Sequence, residues 1–119
     1  MGTKATLQFA GTDLWPRHRV VSTARKGDKY ASLQPGDVVH LEYLGGDTSI
    51  GDAVLVVSER VTFKDVLDNF DHNHAVVARG LERDAQVGRR SLRADLERAY
   101  GPTADSDTFH ILHLLYINQ

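Results

Sequence analysis

Apolar positions along the chain follow two periods in turn. Residues Thr3 to Ala10 alternate loosely, with Leu7 and Phe9 on one face, and predict a short first strand. Arg19 to Arg25 (RVVSTAR) is rich in β-branched residues and predicts a second strand. Lys26-Gly27-Asp28 is a turn, and Lys29 to Leu33 fits one helical turn before Pro35-Gly36. Asp37 to Leu44 alternates again, with Val39, Leu41 and Tyr43 on one face of a third strand. Gly45-Gly46-Asp47 opens a hairpin loop that closes near Gly51-Asp52. The run Ala53 to Arg60 is continuously apolar at its start, the pattern of a central strand covered on both faces. The period then lengthens. Thr62 caps a helix whose stripe is Phe63, Val66, Leu67 and Phe70, with Asp65 completing a capping box. Residues 71–90 fit a short helix or a loop. Ser91 to Tyr100 predicts a helix capped by Ser91, burying Leu92, Leu96, Ala99 and Tyr100 and stopped by Gly101-Pro102. Thr108 to Ile117 is apolar on both faces and predicts a last, central strand. Four strands, two or three helices and a returning strand define an α+β domain with a curled, mainly antiparallel sheet and helices at one side.

A length of 119 residues suits a single domain spanning 1–119. The chain has no cysteine, which removes disulfides and thiolate metal sites and leaves a reducing, cytoplasmic setting as the expectation. No window approaches the ~18 apolar residues of a membrane span, and Met1-Gly2-Thr3-Lys4 leads into no signal-like apolar run. The net charge of −2 argues against coating duplex DNA by bulk charge. The charges are nevertheless segregated: +4 over residues 1–35, −6 over 36–75 and zero over 76–119.

That segregation singles out Arg17 to Asp37, which holds Arg17, Arg19, Arg25, Lys26 and Lys29, five of the fourteen Lys and Arg residues. The segment suits an anionic or nucleotide-like ligand. Trp15, the only tryptophan, stands beside it and can either stack a base or plug the core. Other chemistries are less well supported. His72-x-His74 beside Asp71 lacks a third metal ligand, and His110 and His113 fall on opposite faces of one strand, so no metal or cofactor is expected. Ser22, Ser32 and Ser58 lie in no nucleophile elbow, and Gly45-Gly46 lacks the phosphate-loop pattern.

Four stretches, LQPGDVVHLEY (33–43), VSERVTFKDVL (57–67), LRADLERAYG (92–101) and TFHILHLLYI (108–117), follow one another in the order and spacing of ASCH domains. The chain resembles that family, part of the PUA-like superfamily, over roughly residues 17 to 117. The resemblance implies a PUA-like curled mixed β-sheet or barrel of five to six strands with two to three helices. It also implies recognition of RNA or a modified nucleoside or nucleotide, with no membrane and no obligate protein partner. Small bacterial members of similar length hydrolyse N4-acetylcytidine. The family's Gly-x-Lys-x-x-x-x-Arg segment, aligned on Arg25, places its Lys on Val20, and its accompanying polar residue on Thr23. Counting on from Thr62, the family's catalytic carboxylate falls on His74, with Asp71 nearby. Thr23 and His74 are therefore the catalytic candidates, and Trp15, Arg17, Arg19, Arg25, Lys26 and Lys29 the ligand-binding ones. Replacement of a titratable Lys by Val favours binding through the retained guanidinium over an amidohydrolase or ribonuclease activity. A non-catalytic interaction protein is the third reading.

Overall fold

The computed structural model describes residues 2–10, 15–17, 19–45 and 48–117. Part of the expected hairpin loop, residues 46 and 47, lies outside them. Strands β1 (Ala5–Phe9), β2 (Val21–Lys26), β3 (Val38–Tyr43) and β4 (Ser49–Thr62) come first. Helix α1 (Phe63–Asp68), a single 3-10 turn (Phe70–His72), helices α2 (His74–Ala78) and α3 (Ala85–Tyr100), and strand β5 (Thr108–Tyr116) follow. The strands form one mixed sheet in the order β1-β3-β4-β5-β2. Only the β1–β3 pair is parallel. This is the α+β curled sheet the sequence implied.

Two apolar clusters lie on opposite faces of the sheet. Leu7, Phe9, Trp15, Val21, Val39, Leu41, Leu55, Leu112 and Leu114 belong to the cluster inside the curl. Ala24, Phe109 and Ile111 meet the helices through Phe63, Val66, Leu67, Phe70, Val76, Leu92 and Leu96. Strand β5 supplies Leu112 and Leu114 to one cluster and Phe109 and Ile111 to the other, which explains its uninterrupted apolar run.

Local chemistry fixes the joints. In Gln34-Pro35-Gly36-Asp37 the proline presets the turn and Gly36 takes φ +94°, while the Gln34 N–H donates to the Asp37 carboxylate at 2.8 Å. At the start of α1 the Asp65 N–H donates to Thr62 Oγ1 (3.3 Å) and the Thr62 N–H donates to Asp65 Oδ2 (3.1 Å), a reciprocal capping box.

Three expectations are corrected. Helix α3 begins at Ala85, not Ser91, because the Asp84 carboxylate accepts from the Val87 N–H at 3.1 Å and caps it seven residues before the expected cap. Its apolar stripe ends at Leu96, and Ala99 and Tyr100 are exposed. Strand β4 is longer than Ala53 to Arg60 and is not covered on both faces. A bulge between Leu55 and Val57 breaks its register with β5, and Val56 and Val57 are 44% and 41% exposed.

Gly88 is the closest approach in the helical layer. A Cβ there would stand 2.5 Å from Phe70 Cδ2 and 2.8 Å from the Leu81 carbonyl oxygen. Alanine gains ~1 kcal/mol in helix propensity, but overpacking costs up to ~3 kcal/mol. Gly88→Ala is therefore expected to destabilise the fold by about 2 kcal/mol. A urea midpoint equal to or above that of the parent protein would refute this.

Candidate functional site

The two edge strands of the sheet, β1 and β2, do not pair with each other, and helices α2 and α3 lie over the gap. A cleft of about 620 Å³ results. Its sheet side carries Phe9, Trp15, Thr23, Arg25, Tyr43 and Ile50, and its helical side Asn73, His74, Arg79, Asp95, Arg98 and Tyr100.

Arg25 spans the gap. Its Nε–H donates to Thr23 Oγ1 at 3.3 Å and an Nη2–H donates to the Gln8 carbonyl of β1 at 3.0 Å. The guanidinium lies 4.7 Å from the centre of the Phe9 ring and 5.9 Å from that of Tyr30. Burial lowers its pKa from the usual arginine value, opposed by the nearby Tyr100 and Tyr30 phenols. No carboxylate pairs with it among the described residues. The Thr23 hydroxyl, the Gln8 carbonyl and the Tyr100 phenol engage part of its five N–H groups, and no described carboxylate compensates the charge.

His74 forms the opposite wall. It opens α2, positioned by Asn73, whose side-chain oxygen accepts from the Ala75 N–H at 2.9 Å. Its ring stacks on Trp15 (5.0 Å between centres, 27°) and meets the edge of Phe9 (4.8 Å, 83°). Part of the ring still faces the cleft. Desolvation, then the charges of Arg25 and Arg79, push its pKa from 6.5 down to about 3. It is therefore a neutral imidazole at physiological pH, with one donor and one acceptor.

On the rim, Arg79 pairs with Asp95 at 2.8 Å and Arg98 with the same carboxylate at 3.1 Å. Tyr100 closes the far end.

The structure brings Trp15, Thr23, Arg25 and His74 together and leaves the other candidates elsewhere. Trp15 is only 6% exposed, with His74 over it and Phe9 against it. It backs His74 from the cluster inside the curl and borders the cleft with little exposed surface. Lys26 projects to the other side of β2, as adjacent strand residues must, and reaches Asp107 (3.4 Å) and Thr103 Oγ1 (3.4 Å). Arg17 lies over the Tyr116 ring at 4.3 Å, and Arg19 is exposed; neither lines the cleft. Lys29 flanks a shallower recess next door. Asp71 and His72 sit 3.8 Å apart outside the cleft. The described residues hold no metal-ligating group of three, and no helix among them is long and apolar enough to cross a membrane. Val20 is 39% exposed and outside the cleft, and no lysine lines it.

Sequence reasoning missed Asn73, Arg79, Asp95, Arg98 and Tyr100. Tyr100 carried a signal, an aromatic at the end of an amphipathic stripe just before a helix-stopping glycine. Also missed was an arrangement on the β3–β4 hairpin. Ser49 Oγ lies 3.4 Å from His40 Nε2, and His40 Nδ1 lies 2.8 Å from Asp52 Oδ1. None of the three lines either recess.

The architecture matches a solved structure, the ASCH domain from Lactobacillus crispatus JV V101, with a TM-score of 0.56 at 12% identity. The match covers 94% of this chain and 78% of that one. The chain has the fold of an ASCH domain. No family model and no curated protein matches its sequence.

Proposed function

We propose that this protein is an RNA-binding module that takes a base, plain or modified, into the cleft between β1, β2, α2 and α3. The observation that carries this reading is Arg25. A desolvated guanidinium with no carboxylate partner, seated against an aromatic ring, is costly to maintain and suits an anionic or polar ligand edge. Thr23 and the Gln8 carbonyl fix its orientation. Neutral His74 offers one donor and one acceptor to a base edge, and Tyr100 gives an exposed ring to stack on. Arg17 and Arg19, outside the cleft, contribute to steering.

Hydrolysis of an N4-acylated cytidine has less support: among the described residues no lysine lines the cleft, His74 titrates near 3, and Asp95 is engaged by two arginines.

Fluorescence anisotropy with short single-stranded RNAs tests the proposal. With two or three phosphate contacts, affinity should fall about tenfold between about 50 and 200 mM salt. Folded protein that binds no RNA or nucleotide at the lower salt would overturn it. Turnover of N4-acetylcytidine that disappears in Arg25→Ala would replace it with the enzymatic reading.

A further inference from the structure

The shallower recess, about 450 Å³, is lined by Thr6, Gln8, Arg25, Lys29, Tyr30, Glu42 and Leu44. Gln8, Arg25 and Leu44 line the main cleft too, so the Arg25 side chain stands between the two spaces. The characters of the spaces differ. The main cleft has aromatic walls. The recess is polar, and its cation, Lys29, lies 5.4 Å from the centre of the Tyr30 ring, the ring that also faces Arg25. Neither Lys29 nor Arg25 has a carboxylate partner among the described residues. The one carboxylate of the recess, Glu42, accepts from Gln8 Nε2 at 2.9 Å and lies 4.0 Å from His40 Nε2. Two unpaired cations thus face one carboxylate already held by its neighbours.

We infer that this recess is a phosphate subsite, and that the ligand's phosphate sits between Arg25 and Lys29 while its base occupies the main cleft. The inference rests on the base-binding reading above and narrows it: the ligand is a nucleotide or a nucleotide unit within RNA, not a free nucleoside. Arg25 then touches both parts of the ligand. Lys29 supplies a point charge to the phosphate. Lys26, on the other face of β2, plays no part.

Calorimetry with the four ribonucleosides and their 5′- and 3′-monophosphates tests this. At least one monophosphate should bind on the order of tenfold more tightly than its nucleoside, the worth of one charge-assisted hydrogen bond. Lys29→Ala should close most of that gap, and Lys26→Ala should leave it intact. Lys29 is exposed, so its replacement does not threaten folding. Equal affinity for nucleosides and both monophosphates, or a Lys29→Ala loss shared equally by both, overturns the subsite and leaves the base cleft standing. Binding of none of these ligands, nor of RNA, overturns both.

Discussion

Lowering the pH from 6.5 to about 4.5 is expected to cost the folded protein about 2 kcal/mol through His74 alone. Histidine is charged when protonated. In the unfolded chain His74 gains its proton near 6.5; in the fold, burial and then Arg25 and Arg79 delay this to about 3. Below 6.5 the unfolded state therefore binds a proton that the native state refuses, and stability falls as pH falls, by up to ~1.4 kcal/mol per unit until about pH 3. Above 6.5 both states hold the ring neutral and the effect vanishes. Urea midpoints measured across this range for the parent protein and for His74→Phe separate this term from other acid effects. Phenylalanine keeps the packing against Trp15 and Phe9 but cannot titrate. The parent should lose stability more steeply than the variant below pH 6.5. Parallel curves would mean that the native ring accepts its proton at an ordinary pH, and that the site is wetter than its aromatic lining suggests.

The aromatic packing around His74 also marks the limit of what the sequence shows. The Thr62–Asp65 cap and the stripe of Phe63, Val66 and Leu67 are local patterns and appear in the fold as read, but the helix stops at Asp68 and Phe70 is buried from the 3-10 turn that follows. The apolar run of β5 has no polar face, which predicts a central strand, and β5 feeds both cores. Local patterns failed where a competing local choice existed. Ser91 and Asp84 are both good caps, and the apolar content of residues 85–90 is too low to extend the stripe backward. Arg25 stands out in its basic stretch only through the resemblance to ASCH domains. What distinguishes it from Lys26 is strand parity, which needs the register with β5: Arg25 opposite His110, Lys26 opposite Phe109. The helical half of the cleft was largely invisible, because it depends on where α2 and α3 settle over the gap between β1 and β2. Sequence spacing gives no account of that docking.

Replacing Arg25 with methionine should weaken RNA or nucleotide binding by about 100-fold or more, since each hydrogen bond to a charged group is worth about 1.5–3 kcal/mol and the guanidinium offers at least two to a ligand. The same change should leave the unliganded protein as stable or more stable, by about 1 kcal/mol. Methionine removes a desolvated charge and keeps a flexible apolar contact with Phe9 and Tyr30. The lost hydrogen bonds to Gln8 and Thr23 offset part of that gain. Arg25→Lys separates charge from geometry. An ammonium cannot make the two-point contact to strands β1 and β2, so about tenfold of the affinity should be lost with the charge retained. The two sides of the cleft are also coupled. Arg25 is the first charge, after desolvation, that depresses the His74 pKa, so Arg25→Met should raise that pKa and shrink the acid-sensitive window described above. Titration of the His74 ring by NMR in the two proteins reads this directly. An unchanged His74 pKa together with intact binding would make Arg25 a structural tie between two strand edges. A raised pKa, a lost ligand and a protein at least as stable would identify a charge held in place for the ligand it meets.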